Sequence, residues 1–583
     1  MIHKILRSFK LIPQTLYIRY LLLFIIIILN VFFELISISL LIPIIAILSG
    51  ESQNLNFVFQ SILDFLYSIT SNPNIVLFFL LISFFLKTFF FILLNWLKLS
   101  LSTVLVSNLS KRLTEIYINK KLINLINKNS SELIRNCSSE IARFNNNIVL
   151  SSINFLTDFF IVASLILFIF FVEFKITFVI LSFVIISFGF YFLFFKDTLK
   201  KFGKDRQQFE QYKLKNAQTL FHGIRVIKVF LKEKQFINEY FKNVFNLMNL
   251  DKKIGLILTT PRQLIEFLSV IIFLGLIYFM LNFKQDGNFI SILPTLTLFL
   301  LAFIRIAPSF NRILLHAQLI NSSSATIDLL TEEFSKNKVK NEEEKLENLN
   351  IENNINYSSP IKFENVSFRY KNNDLNIFKN LNISFPSKKL IGICGKSGSG
   401  KSTFLDILMG LLEPNAGRVL IGNNDIKFFK KDWRNNIAYV SQDNYIFDAT
   451  ITENIAVEFE KSRIDLGKIE KASQLSLTDE IVSKFKEKYK TNIGERGNLL
   501  SGGQKQRLAL ARAVYKDPNI FILDEFTNAL DEETEKNLIE NFLNFAKGKT
   551  IFLSTHNKNL LDLCDEVYQV KNHDLYKVNK INK

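Results

Sequence analysis

The chain has 583 residues, 60 of them Phe, is 49% hydrophobic and carries a formal net charge of +17. Three cysteines, Cys137, Cys394 and Cys564, exclude a disulfide-framework domain. The positive balance does not imply a nucleic-acid partner, because Lys and Arg gather in stretches that the topology below puts on the cytoplasmic side, where positive-inside bias accounts for them.

Apolar residues are concentrated before about residue 325, which predicts a membrane front and a soluble back. The stretch 1–10 is basic but lacks a short apolar region with a small-residue cleavage site, and reads as a cytoplasmic lead-in. Apolar runs over 20–48 and 75–106 are each long enough to cross a bilayer. Between them, Val58, Phe59, Ile62, Leu63, Leu66 and Ile69 recur at helical spacing with Gln60, Asp64 and Ser68 interleaved, predicting a short amphipathic helix over 57–69 on the outer surface.

Residues 107–147 are polar and carry Lys111, Arg112, Lys120, Lys121, Lys128, Arg135 and Arg143, as expected of helices extended into the cytoplasm. Spans over 148–172 and 174–195 form a tight outer hairpin around Glu173. A second cytoplasmic excursion covers 196–260, and spans over 263–281 and 289–319 complete a set of six. The outer loops hold Glu51, Asp64, Glu173 and Asp286 against only Lys175 and Lys284, so six spans with both ends inside satisfy the positive-inside rule. Four cations fall at membrane depth: Lys87, Arg262, Arg305 and Arg312. Arg305 and Arg312 are seven apart and share a helical face. Such charges read as a wet cavity for an anionic head group, with pairing to Glu34, Asp158 or Glu266 as the structural alternative.

A polar linker is expected over 335–356. Beyond it, β-patterned runs alternate with helical ones, predicting an α/β domain with a mainly parallel sheet. The fold class is therefore a multidomain membrane protein: a six-helix transmembrane domain over 1–334, the linker, and an α/β domain over 357–583.

Within the soluble part, Tyr370 closes an apolar run and has the chemistry to stack on a purine. The apolar run Leu390-Ile391-Gly392-Ile393-Cys394 turns through Gly395-Lys396-Ser397-Gly398-Ser399-Gly400-Lys401-Ser402-Thr403 into Phe404-Leu405-Asp406. A glycine-rich strand-to-helix turn of this kind wraps a phosphate chain with backbone N–H groups. Lys401 then reaches the terminal phosphates and Ser402 ligates Mg²⁺, so a nucleoside triphosphate is the implied ligand. Gln442 follows an apolar run on a loop from which it can reach metal and water. Ser501, Gly502, Gly503 and Gln504 open a helix with a hydroxyl and glycine N–H groups, an anion site for a γ-phosphate. Phe521-Ile522-Leu523-Asp524-Glu525 is a buried strand ending in two carboxylates, Asp524 for the Mg²⁺ shell and Glu525 for the attacking water. The strand 550–554 leads to a lone His556, whose company turns it from a structural to a catalytic candidate.

The stretch Leu500-Ser501-Gly502-Gly503-Gln504-Lys505-Gln506-Arg507, between the glycine-rich loop and the acidic strand, resembles the signature of the ATP-binding cassette (ABC) superfamily. The resemblance implies that 357–583 is an α/β ATP-binding cassette of the P-loop NTPase type, and that ATP on one subunit meets the signature of a second copy, hence a homodimer with two ATP sites. Thr491-Asn492-Ile493-Gly494-Glu495-Arg496-Gly497 looks like the loop with which exporters touch their membrane domain. Six spans ahead of one cassette look like the type IV exporter layout. Two departures stand out: Asn528 precedes Ala529 where Ser is usual, and Asn557 follows His556. The membrane cations, with Phe33-Glu34-Leu35-Ile36-Ser37 in span one and the surface helix, are similar to lipid-linked oligosaccharide flippases of the PglK type. That implies a polyprenyl-pyrophosphate glycan as substrate in an inner, cytoplasmic membrane with the cassette in the cytoplasm. The alternatives are a type IV exporter of another lipid, a drug or a peptide, and a non-transport membrane ATPase. For transport, tips near 130–136 and 220–228 are expected to transmit cassette closure.

Overall fold

The computed structural model describes residues 11–40, 73–126, 128–172, 194–283, 289–347, 355–370 and 375–578, with isolated positions between 174 and 189. The expected surface helix over 57–69, most of the fourth span and the charged outer-loop residues lie outside these. The chain forms two compact units, Met1–Lys120 with Lys128–Lys340, and Lys121–Asn127 with Asn341–Lys583.

The first unit is helical. Helices α1 (Tyr17–Ser39) and α2 (Pro73–Ile118) precede the short α3 (Leu122–Ile126), which belongs to the second unit. A long helical run then ends in α4 (Ser151–Val172). Among the described residues, Gln14–Ser39, Phe78–Ile118 and Ser130–Phe171 are long and apolar enough to cross a membrane. Helices α7 (Glu233–Phe283) and α8 (Phe289–Ser322) cover the expected fifth and sixth spans. Leu94, Leu101, Leu105, Leu109 and Leu113 lie on one face of α2 and are buried with Leu23 and Ile27 of α1 and Ile161 and Leu165 of α4.

Ion pairs tie the polar extensions of these helices together. Arg135 donates to the Gln207 carbonyl at 3.1 Å and to Gln211 at 3.0 Å on α5 (Lys196–His222). Arg143 meets Glu210 at 2.7 Å, and Thr326 donates to the fully buried Glu140 at 2.6 Å. Although burial alone raises the Glu210 carboxyl, Arg143 holds it below the usual carboxylate range. The run leading to α4 is π-helical over Asn136–Glu140 and Phe144–Leu150, which brings Asn136, Glu140, Phe144 and Ile148 all into the core.

The stretch 130–136, one of the two expected tips, packs on α5 within the first unit, and α3, just before it, belongs to the second unit. The linker expected over 335–356 is helical as far as Glu347, in α9 (Ser324–Glu347), a stretch rich in Glu and Lys with no Gly or Pro to stop it. The other expected tip forms α6 (Ile224–Val229), with Val229 79% and Leu231 82% exposed.

The second unit has two sheets. An antiparallel sheet in the order β2-β1-β4-β5 uses β1 (Ile361–Phe368), β2 (Phe378–Phe385), β4 (Ala416–Ile421) and β5 (Asn424–Asp425). The larger sheet, in the order β10-β9-β3-β8-β7-β6, contains β3 (Leu390–Cys394), β6 (Ile437–Val440), β7 (Ile520–Asp524), β8 (Thr550–Ser554), β9 (Glu566–Lys571) and β10 (Asp574–Val578). All its pairings are parallel except the β9–β10 hairpin. Every residue of β7 and β8 is buried, as a sheet covered on both faces requires. Helix α10 (Lys401–Leu408) is anchored to the antiparallel sheet by Phe404, fully buried with its ring 5.1 Å from Phe363 of β1 and 5.6 Å from Phe385 of β2. Burying such a ring is worth about 3–5 kcal/mol, and here it fixes the start of α10, where the glycine-rich loop ends.

Candidate functional site

Parallel pairing of β3, β8 and β7 brings the ends of three strands side by side, and the loops leaving them carry the polar residues. The loop after β3 exposes Lys396, Ser397 and Gly398. Gly400, at φ 105°, turns the chain into α10, and a Cβ there would also lie 2.7 Å from Ile377. The loop's N–H groups and the first turn of α10 thus face outward as an anion cradle, and among the described residues the buried Ser399 hydroxyl has no hydrogen-bond partner. Tyr370 stands beside this loop, its hydroxyl 3.3 Å from Thr403 Oγ1 and its ring packed edge-on against Phe368.

Lys401 is buried and turned inward: its ammonium donates to the Gly395 carbonyl at 2.8 Å and lies 2.7 Å from His556 Nε2. That His556 nitrogen is also 3.4 Å from Glu525 Oε1. The other Glu525 oxygen accepts from Gln442 Nε2 at 2.7 Å and from Asn528 Nδ2 at 2.9 Å. Lys401, Gln442, Glu525 and His556 are therefore one cluster. Asp524, at the end of β7, is 4% exposed. Burial pushes its carboxyl up, against hydrogen bonds from Ser554 and Ser402. Burial, then the neighbouring Asp524 charge, lifts Asp406 on α10 to about 6.

Among the described residues no group of three or more His, Cys, Asp or Glu forms a metal centre by itself. Ser402 and Asp524 fit Mg²⁺ as a pair of oxygen ligands whose shell is completed by phosphate and water, the usual habit of that ion. Gln442 presents its amide nitrogen to Glu525, so only its carbonyl is left for a metal.

The signature residues open α11 (Gly502–Lys516). Ser501 Oγ accepts from Gln504 N at 3.3 Å and Gln504 Oε1 accepts from Ser501 N at 2.8 Å, a reciprocal cap that occupies the Gln504 side chain. Among the described residues no hydrogen bond or ion pair joins Ser501–Gln504 to Lys401, Asp524 or Glu525. Instead, Gln506 accepts from Ala529 N at 3.1 Å, and a Cβ on Gly503 would sit 2.7 Å from the Ala529 carbonyl, so only glycine allows this approach. Arg512 binds the helix to the preceding segment through the carbonyls of Asn454 (2.7 Å) and Tyr445 (2.5 Å) and Asn454 Oδ1 (2.6 Å). Burial lowers its pKa to about 10, which leaves it charged at neutral pH.

A second polar site lies inside the helical unit. A cavity of about 460 Å³ is lined by Lys87, Lys98, Arg305 and Arg312 with Glu34, Asp158, Asn154 and His316. Arg312 grips Asp158 at 2.7 and 2.9 Å, Arg305 pairs with Glu34, and Lys87 lies 3.1 Å from Glu34. Three of the four expected cations are thus brought together, each with a carboxylate partner. Arg262 is not among them: it is 68% exposed and pairs along its own helix with Glu266 at 2.8 Å. Lys98, buried and donating to Asn154 at 2.8 Å, was not singled out from the sequence, though a lone Lys in an apolar run was the available signal.

Residues 378–528 match the family model described as ABC transporter. The leukotoxin translocation ATP-binding proteins LktB of a Pasteurella haemolytica-like species and of Mannheimia glucosida are each 35% identical over 223 and 221 residues. Those alignments take in 38% of this chain and 31% of the relative, so the chain spans under a third of the length of the relatives it matches. A solved bacterial Atm1-family ABC exporter with ATP bound superposes with a TM-score of 0.77 at 17% identity, covering 98% of this chain and 96% of the other. The strand-end cluster at 395–403 and 524–525 thus lies in an ATP-binding domain of the ABC transporter type, carried by a chain with the fold of an Atm1-family ABC exporter.

Proposed function

We propose that the chain is an ATP-driven exporter or flippase of an amphiphile with an anionic head group, in first place a polyprenyl-pyrophosphate oligosaccharide. The observation that carries this is the intramembrane cavity: four cationic side chains face two carboxylates, a surplus of two positive charges inside an apolar helical unit. A pyrophosphate offers the matching negative charge and can exchange places with Asp158 and Glu34 on the guanidinium groups.

The hydrolytic step is assigned to the strand-end cluster. Incoming triphosphate draws Lys401 away from Gly395 and His556, and ammonium and loop N–H groups then hold the β- and γ-phosphates. Ser402 and Asp524 would hold Mg²⁺, which would supply neutralisation of the phosphate charge. Glu525 takes a proton as water oxygen bonds to the γ-phosphorus. The bond from that phosphorus to the β–γ bridging oxygen breaks, leaving ADP and phosphate. His556, released from Lys401, faces the same water.

A second copy of the chain is the proposed partner, since Ser501 opens an anion site unoccupied by its own loop residues. Two apolar surfaces support a dimer: the exposed α6 face, and a groove of about 570 Å³ lined by Met409, Leu411, Tyr439, Ile455 and Tyr515. The inner membrane is the proposed location, with the ATP-binding domain in the cytoplasm.

The test is ATPase activity of the purified chain in lipid with and without a polyprenyl-pyrophosphate glycan, together with flipping of that lipid in proteoliposomes. Glu525→Gln should cut turnover to a small residual rate and trap an ATP-bound dimer. The relatives named for leukotoxin translocation favour a second reading, polypeptide export. ATPase indifferent to the glycan but stimulated by an unfolded polypeptide would select it.

A further inference from the structure

We propose that Asn528 is a positioning residue for the base Glu525, dictating which carboxylate oxygen faces the water and linking that choice to the signature helix α11. The proposal rests on the ATPase reading above. Glu525 sits in left-handed backbone, φ 47°, an arrangement that costs energy in a non-glycine residue and aims its side chain out of line with β7. Its side chain is 12% exposed, so the carboxylate depends on protein donors. Both amide donors converge on one oxygen, Gln442 at 2.7 Å and Asn528 at 2.9 Å on Oε2. A carboxylate only accepts, which fixes both amides with nitrogen toward Glu525. Oε1 is left toward His556 as the oxygen that takes the water proton.

Asn528 itself is exposed, and among the described residues its side chain makes no other hydrogen bond. A core-packing role is thus excluded. Its backbone N–H closes a turn on the Glu525 carbonyl, and the next residue, Ala529, is held by Gln506 and pressed against Gly503. Gln506 lies five residues after Ser501, so its hydrogen bond to Ala529 places Asn528 on a route from the signature helix to the base of the same chain. When a partner's γ-phosphate settles on Ser501, the shift of α11 is felt at the Glu525 carboxylate.

The experiment measures kcat and KM for ATP with the full chain in lipid. Asn528→Asp keeps the size, removes the donor and sets a like charge against Glu525. It should lower kcat roughly 10- to 100-fold, the worth of one charge-assisted hydrogen bond, with KM within about twofold. Asn528→Gln, which keeps the amide on a longer arm, should recover part of the loss. In a Glu525→Gln background, where the carboxylate is gone, Asn528→Asp should cause no further loss of the residual rate. Unchanged kcat in Asn528→Asp, or an equal fractional loss in both backgrounds, would overturn the proposal while leaving the ATPase reading intact. Full hydrolysis in Glu525→Gln alone would overturn the base assignment and the proposal with it.

Discussion

Removing Arg312 or neutralising Asp158 disturbs the same three hydrogen bonds, yet the two changes should differ sharply in cost. Asp158 has a side chain only 7% exposed, whereas Arg312 is 45% exposed. Arg312→Ala strands a carboxylate in the helical interior, and breaking a buried pair in that way costs about 3–5 kcal/mol. Lys98 lines the same cavity and softens the loss, so about 3 kcal/mol is the expectation. Asp158→Asn instead leaves a guanidinium that water reaches and an amide that still accepts from it, for about 1 kcal/mol or less. Differential scanning fluorimetry of the purified chain in detergent ranks the two: the midpoint of Arg312→Ala should fall well below that of Asp158→Asn. The same Asp158→Asn variant frees Arg312, and should lower the polyprenyl-pyrophosphate concentration giving half-maximal ATPase stimulation. Equal destabilisation by both variants, or a greater effect of Asp158→Asn, would refute the argument from burial.

Asp406 is lifted by burial and then by Asp524 to about 6 from its ordinary 3.8, so the folded chain keeps that proton where the unfolded chain has lost it. Stability therefore declines as pH rises between those values. Asp406→Asn should raise the unfolding midpoint above pH 6, with the gain vanishing below about pH 4. Arg512→Met strips three oxygen acceptors of their donor and should destabilise the nucleotide-binding unit by about 3 kcal/mol, seen as a lower midpoint relieved little by added ATP. Burial raises the Glu413 carboxyl, but hydrogen bonds from Lys121 (2.5 Å) and Lys430 (2.6 Å) prevail and hold it at about 2. This clamp is complete above the ordinary value of 4.5 and fails only as pH falls toward 2. Glu413→Gln should speed amide hydrogen exchange over 121–127 at neutral pH, while the unmodified chain keeps its protection down to about pH 4.

The nucleotide site was legible because its chemistry is local. One strand, one glycine-rich turn and one helix start are contiguous in sequence, and so are the two carboxylates ending β7. What sequence does not carry is which distant groups meet. Glu34, Asp158 and Glu266 could be named as partners for the membrane cations, but not which meets which: Arg305 finds Glu34 and Arg312 finds Asp158 across gaps of 271 and 154 residues. Arg262 looked equivalent to these by depth alone, but its carboxylate partner is one turn away on its own helix. Gln504 carries a second local signal. The spacing Ser501-x-x-Gln504 is that of a capping box, and its side chain finishes its own helix. The antiparallel sheet carrying β1 and β2 and the π-helical turns before α4 left no signal, since both depend on register rather than composition.

The second unit is discontinuous: residues 121–127 belong to it, although 213 residues of the other unit separate them from its main body at 341–583. Ile123 packs on the core that also holds Tyr357, and Lys121 completes the Glu413 clamp. A fragment cut near residue 341 would therefore be an incomplete object, with an uncovered apolar spot and a carboxylate short of one cation. Supplying the missing seven residues as a free peptide would not repair it, because one exposed ion pair and one isoleucine bind far more weakly than the millimolar effective concentration that a covalent tether provides. A continuous stretch that holds every residue of this ATP-binding unit must therefore begin at or before Lys121 and carry the intervening helical segment with it.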